Sequence, residues 1–448
     1  MQIDEAHHKM ISLKEKTFFI HTFGCQMNEN DSERLAGYLM ADGAVKVDRI
    51  ENSDIIIVNT CAVREKSVEK LYSLLGRLSQ IKKKKKVIIG VSGCVAQLQR
   101  SELLSNRPFI DFVIGPDNYH LLVANLKSIA HDKFILTGRH REWTCASFAL
   151  FSRENKKSAY VTIMEGCNNF CTYCIVPFAR GREKFRPKKD ILEEVHFLSD
   201  QGYLEIQLLG QNVNSYIDPL SGTDFNVLLK EMNKFKSIEW IRFITSHPKN
   251  FKLDTARIMK DSEKICSQLH LPIQAGSDSV LKRMKRGYTK DEYLDKIKKI
   301  KELIPDISLS TDIIVGFPNE TEEDFQKTLD VLQEVEYNNI FSFRYSPRPF
   351  TRASHFDNNV PLAAKRERLI RVQSLQKRIQ MSNNQKLIGR EMKVLCTGIS
   401  KKDRNKYTGR NQAFQVINFS SNRNVLDQFV SVQITGCGAY SLHGKISE

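Results

Sequence analysis

Six of the ten cysteines fall into two sets whose pattern suits metal binding better than cross-linking. Cys167, Cys171 and Cys174 lie in EGCNNFCTYC, a C-x3-C-x2-C spacing. A four-iron cube normally takes four thiolates, so three close together suit an iron–sulfur cluster with one iron left open. An open iron binds a small chelating molecule, much as an open position marks a catalytic zinc. Structural zinc is the alternative, and it wants a fourth ligand nearby. The next histidine is His196 and the next cysteine Cys266, so spacing and thiolate softness both favour the cluster. Cys25, Cys61 and Cys94 are far apart in sequence, yet each ends a β-branched run: TFFIHTFGC, DIIIVNTC and VIIGVSGC. Three such ends can converge on one object, which points to a second three-cysteine cluster. The plainer alternative, a small buried apolar residue, is the reading for Cys145, Cys266, Cys396 and Cys437.

The elements that position these cysteines are legible as alternation. In the first ~150 residues, short apolar runs at 17–25, 54–61, 87–94 and 111–115 alternate with polar, helix-length stretches. Near-continuous apolar strands between helices fit a parallel sheet covered on both faces, a doubly wound α/β domain. Such sheets bind ligands at the carboxyl ends of their strands. A helix is expected to start around Asn30, Asp31 and Ser32, a plausible cap, and to run to Gly43. Residues 139–157 are charged and aperiodic and read as a linker. Strands are then expected at 159–165, 204–209, 240–245, 268–273, 308–315 and 340–345, with helices between them. Six β/α units in ~190 residues make an incomplete (β/α)6 barrel, since eight need ~250. Pro361 opens a long basic helix, and the last ~60 residues read as a small all-β barrel.

With 448 residues, 41% of them hydrophobic, the chain has room for two or three cores. No apolar run approaches the ~18–20 residues that cross a bilayer, and the first residues lack the apolar stretch of a secretory signal. A reducing, cytoplasmic setting and no membrane partner are therefore expected. Lys and Arg number 68 against 52 acids, a formal charge of +16. This excess favours a polyanionic partner such as nucleic acid. The Lys82–Lys86 run reads as a solvated helix end before it reads as an RNA contact.

The C-x3-C-x2-C motif with Tyr173 before its third cysteine resembles the radical S-adenosylmethionine superfamily. The segments TFGCQMNENDSE, NTCAVREKS, SGCVAQ, EGCNNFCTYCIVPFARG, GQNVNSY, TSHPK, HLPIQAGSDSVLKRMKRGYT and TDIIVGFPNETEEDF together resemble the methylthiotransferases. FGCQMN with NNFCTYC is most similar to the MiaB type, which acts on N6-isopentenyladenosine beside the anticodon of tRNA. The resemblance runs nearly end to end. It implies an N-terminal domain over 1–138 binding an auxiliary [4Fe-4S] cluster through Cys25, Cys61 and Cys94. A radical core over 153–384 would bind the second [4Fe-4S] cluster through Cys167, Cys171 and Cys174, with Tyr173 beside the cofactor. Residues 385–448 would form a TRAM RNA-binding barrel.

The resemblance further implies that S-adenosylmethionine chelates the open iron and that two molecules serve each turnover. One gives a methyl group to a sulfur at the auxiliary cluster; the other gives a 5′-deoxyadenosyl radical. The implied partners are the tRNA anticodon arm, an external electron donor and a sulfur donor, with the chain a monomer. Sister types act on threonylcarbamoyl-adenosine or on a ribosomal protein, and a non-enzymatic iron–sulfur RNA-binding protein is the alternative of another class.

KYTGRNQAFQV is similar to the core of a TRAM domain. Lys406, Arg410, Tyr407 and Phe414 would there contact phosphates and stack on bases, the alternative for Phe414 being barrel core. Arg180, Arg182, Lys184 and Arg186 follow the radical motif and either meet RNA or sit in salt bridges. His247 and His270, at barrel strand ends, are structural histidines or cofactor contacts. Phe178, Phe185 and Phe350 depart from the family's usual Tyr, Ser and Gly. A lost hydroxyl removes a hydrogen bond to substrate, and Phe for Gly changes the turn after Pro349.

Overall fold

The computed structural model describes residues 12–129, 132–143 and 148–447, so Cys145 lies outside the described residues. The amino-terminal sheet is built around Ile55–Thr60, every residue of which is buried. Ile55 and Ile57 share one core with Leu35 and Leu39 of the helix Gln26–Ala41. Ile56 and Val58 share the opposite core with Leu71, Leu75 and Leu78 of the helix Glu65–Lys84. The two-residue period thus serves two apolar faces, which is why the strand shows no polar alternation.

Six parallel strands run in the spatial order Val45–Lys46, Thr17–Phe23, Ile55–Thr60, Ile88–Gly93, Phe112–Ile114 and Phe134–Leu136. The order reverses between Thr17–Phe23 and Ile55–Thr60, which makes the crevice beyond their carboxyl ends the switch point of the doubly wound sheet. Cys25 and Cys61 follow those two ends, and Cys94 follows the next strand. The edge strands Val45–Lys46 and Phe134–Leu136, two and three residues long, are too short to show a period.

The second sheet system holds Ser158–Thr162, Glu205–Leu209, Trp240–Phe243, Gln268–His270, Ser308–Val315 and Asn339–Arg344. They form two parallel three-stranded groups, joined by the bridge between Ile241 and Ile265. Helices pack outside them on one continuous core that includes Ile206, Ile241, Leu269 and Ile313. This is the open six-stranded barrel expected. The expected strand 159–165 breaks after Thr162, however, and Met164–Glu165 pairs antiparallel with Lys184–Phe185. That short ribbon closes the loop carrying Cys167, Cys171 and Cys174.

Residues 139–157 are more than a linker. They contain the turn Phe148–Leu150, and Arg153 forms ion pairs with Glu33 of the first domain and Glu194 of the second.

The carboxyl-terminal strands close into a five-stranded barrel in the order Glu391–Ile399, Tyr407–Arg410, Val416–Ser420, Leu442–Ile446, Phe429–Cys437. Val394, Cys396, Ile417, Phe419 and Leu442 fill it. It docks at the amino ends of the open barrel's strands. There the buried Arg242 donates to the carbonyls of Gln412 (2.6 Å) and Asn411 (2.7 Å) and pairs with Glu205 (2.6 Å). Among the described residues no helix is long and apolar enough to cross a membrane.

Candidate metal centres and the cleft between them

Cys25 is the N-cap of the helix Gln26–Ala41, so the helix starts at Gln26 rather than around Asn30–Ser32. Cysteine is absent from the usual capping residues, which is why sequence reasoning placed the start too late. The Cys25 carbonyl accepts the Asn28 amide at 2.8 Å, and the Asn28 side-chain oxygen accepts the Cys25 amide at 3.4 Å and its thiol at 3.5 Å. The thiol therefore sits at the positive end of a 16-residue helix, where a thiolate is favoured. Cys61 lies one residue past its strand, its sulfur accepting the Val63 amide at 3.3 Å. Cys94 follows Gly93, whose φ is +86°. A Cβ there would stand 2.3 Å from the Asn59 side-chain oxygen, so only glycine allows so tight an exit from the strand.

The three thiols meet. Hydrogen bonding to Cys61 is the largest influence on both neighbours, holding Cys25 down to about 7 and Cys94 down to about 6, with Arg180 adding to the effect. Cys61, the shared partner, is pushed up by those same bonds.

The second set is held by backbone. Gly166, at φ +82°, brings its chain so close to Arg182 that a Cβ would lie 2.1 Å from the Arg182 carbonyl oxygen. The Cys167 amide donates to the Gly181 carbonyl (3.2 Å), and Thr172 is tied to Met284 and Ala353 at 3.0 and 2.8 Å. The Cys167 sulfur accepts from Asn169 at 3.5 Å. Cys171 is buried beside Arg286, whose guanidinium donates to its sulfur at 3.4 Å, and the His247 Nε2 stands 3.9 Å away. Burial pushes the Cys167 thiol up and the Cys174 thiol to about 12, with Cys171 the next influence on Cys174. A cluster bound here would add negative charge, and Arg286 beside Cys171 is placed to balance it.

Tyr173 lies between the Phe317 ring (6.4 Å) and Arg286, which donates to its hydroxyl at 3.3 Å. His247 is held down to about 2 by burial and then by Arg286, Lys249 and Lys296, so it stays neutral. His270 contacts Ser310 (3.0 Å) and Asp312 (3.6 Å). Phe185 turns inward against Tyr216.

All nine described cysteines are free thiols. Soft donors, three per site and each at a strand's carboxyl end or in a short loop, fit iron–sulfur clusters. Among the described residues no three His, Cys, Asp or Glu side chains are arranged to hold a single metal ion. The fit to a cluster is therefore one of donor chemistry and placement at the strand ends.

Arg180 requires a correction. It is 4% exposed, with its guanidinium paired to Asp31 and reaching Glu165 at 3.8 Å. Arg34 reaches Glu165 at 3.3 Å, and Lys184 pairs with Asp117 at 2.6 Å. Arg186 pairs with Glu194. Arg180 and Lys184 thus bind the two α/β domains together instead of meeting RNA. The Arg180 charge also lowers the Cys94 thiol, so one cation from the radical segment reaches the other cysteine set. Sequence could not separate this from a surface charge, because its carboxylate partners lie 149 and 15 residues away.

Arg182 is exposed, over the Phe170 ring. Lys406 is half-buried and pairs with Asp403 at 3.4 Å. Arg410 lies on the Phe414 ring and donates to its carbonyl, and Phe414 also faces Arg242. The expected stacking groups of that motif are occupied in docking the small barrel, and Tyr407 stacks on Phe419. The lysine run ends the helix Glu65–Lys84, where Lys82 pairs with Asp111 and Lys85 reaches backbone carbonyls. Replacing Arg180 by Met should leave Asp31 buried without its main counter-charge. A loss of about 3–5 kcal/mol is expected, read as an earlier unfolding transition in denaturant.

Two family models match the chain: the radical SAM superfamily over residues 161–332 and the uncharacterized protein family UPF0004 over residues 17–115. Among solved structures, the chain is similar to the radical S-adenosylmethionine methyltransferase TsrM from Kitasatospora setae. The TM-score is 0.56 at 13% identity, covering 76% of this chain and 75% of that one. The radical enzyme OxsB gives 0.51 at 12% identity over 82% and 56% of the two chains. These likenesses show the fold, an open radical SAM barrel behind an α/β domain.

Among curated proteins, tRNA-2-methylthio-N(6)-dimethylallyladenosine synthase of Acetivibrio thermocellus is 44% identical, covering 97% of this chain and 91% of that protein. The synthase of Thermodesulfovibrio yellowstonii is 43% identical over 97% and 99%. The chain belongs to the family of tRNA-2-methylthio-N(6)-dimethylallyladenosine synthases, radical SAM methylthiotransferases.

Proposed function

We propose that the chain places a methylthio group on C2 of N6-dimethylallyladenosine beside the anticodon of tRNA. One [4Fe-4S] cluster is held by Cys25, Cys61 and Cys94 and one by Cys167, Cys171 and Cys174, with two S-adenosylmethionine molecules used per turnover. The observation that carries this is the pairing of two three-thiol sites, braced through Arg180, in a chain of this family. The C2–H bond of adenine is neither acidic nor polarised, so acid–base chemistry alone does not replace it with sulfur. When bound, the clusters and S-adenosylmethionine supply a radical that removes this hydrogen, together with the sulfur and methyl group that replace it.

The protein's own residues position and insulate. Arg286 neutralises charge beside Cys171, and Tyr173 and Phe317 wall that site. Asp31, Glu165 and Arg180 fix the distance between the two thiol sets. The adenosine must leave its stack to reach the cleft, at a cost of roughly a few kcal/mol, less in a loop than in a duplex. The excess positive charge favours a polyanionic partner such as tRNA. The working setting is cytoplasmic, the enzyme a monomer, and electrons and replacement sulfur come from external donors.

Substrate choice is tested by offering three candidates to the iron-loaded protein: tRNA with dimethylallyladenosine, tRNA with threonylcarbamoyl-adenosine, and ribosomal protein. Only the first should gain a methylthio group by mass. Modification of either other substrate instead would overturn this assignment.

A further inference from the structure

Phe350 is placed at a double cost. Its ring is 61% exposed, and its backbone has φ +69°, a left-handed conformation costing a non-glycine residue about 1–2 kcal/mol. Glycine would make the same turn more cheaply. Strain of this kind, uncompensated by burial, persists where the side chain serves a function. Phe178, itself 38% exposed, lies with its ring centroid 6.1 Å from that of Phe350 and the planes 30° apart. The two rings, tilted to one another, make an exposed aromatic pair.

Its position ties it to both thiol sets. Phe178 stands four residues past Cys174 in the turn Val176–Ala179, and its neighbour Ala179 shares a core with Cys94 and Val95. The Phe350 turn is anchored by Arg348, which donates to the Val63 carbonyl at 2.8 Å, two residues past Cys61. The rings therefore stand on segments that adjoin both thiol sets. The nearby cations are turned to neutral groups: Arg348 to Val63, and the exposed Arg64 to the Gly24 carbonyl at 3.1 Å. Exposed rings beside cations not spent on carboxylates are the composition of a single-stranded nucleic-acid surface.

We propose that Phe178 and Phe350 form a stacking platform for a nucleobase next to the reacting adenosine, with Arg64 and Arg348 facing its phosphates. The inference rests on RNA being the substrate. Stacking on the platform repays the unstacking of the loop and holds the reacting base between the two thiol sets.

The test uses full-length, iron-loaded protein and an anticodon stem-loop RNA carrying 2-aminopurine beside the target adenosine, with and without the dimethylallyl group. Binding to wild type should quench the fluorophore, because it stacks. Phe350→Gly removes a ring while relieving the backbone, so its melting temperature should stay level or rise. Combined with Phe178→Leu it should abolish the quench and weaken binding about 5- to 150-fold for both RNAs, while Phe178→Tyr should keep both. Unchanged quench and affinity in the double variant, with wild type still methylthiolating tRNA, would overturn the platform and leave the reaction standing. A loss confined to the dimethylallylated RNA would also overturn it, because the rings would then meet the alkyl group instead of a neighbouring base. Failure of wild type itself to bind RNA would remove the substrate reading and the platform with it.

Discussion

Protein carrying Cys167→Ala, Cys171→Ala or Cys174→Ala is expected to produce no 5′-deoxyadenosine above background when supplied with reductant and S-adenosylmethionine. Three thiolates leave no spare thiolate. The histidine nearest Cys171 is held neutral and stands in the lining of the site, its Nε2 3.9 Å from that sulfur. Loss of Cys171 also leaves Arg286 facing a gap where it had a sulfur at 3.4 Å. The effect should be all-or-none for each of the three positions, and iron content should fall from about eight to about four per chain. Retained cleavage in any one of them would remove that cysteine from the ligand set.

Replacing Cys25, Cys61 or Cys94 should have a different signature. These thiols belong to the other sheet, and their link to the radical site runs through Arg180 rather than through a shared ligand. Some cleavage of S-adenosylmethionine should survive, whereas sulfur insertion should disappear. The readout is the ratio of 5′-deoxyadenosine to methylthiolated nucleoside, which should rise without limit in these variants and stay defined in wild type. Methylthiolation persisting after loss of Cys61, the thiol that bonds both others, would show that the auxiliary site is misassigned.

Much of this site was legible in the sequence because sheets make it so. Cys25, Cys61 and Cys94 each follow an apolar run, and parallel strands bring such ends to one edge. The open barrel followed from counting repeats. What stayed hidden has a common physical cause: it depends on partners remote in sequence. Arg180 looks like a surface charge until Asp31 and Glu165 close round it, and Arg286 sits unmarked in KRMKRGYT until the fold sets it on Cys171. The helix start is hidden because a cysteine stands where a capping Ser or Asp is usual. Arg410 and Phe414 read as RNA contacts because nothing local reveals that Arg242 will meet that turn. The aromatic pair at 178 and 350 likewise becomes a surface only when residues 172 positions apart are brought together.

The central claim is tested most directly by anaerobic turnover of reconstituted protein with reductant, S-adenosylmethionine and tRNA bearing dimethylallyladenosine, followed by nucleoside mass spectrometry. The predicted result is 2-methylthio-N6-dimethylallyladenosine, with 5′-deoxyadenosine formed alongside. Neither product, from protein shown to hold both clusters, would contradict the assignment.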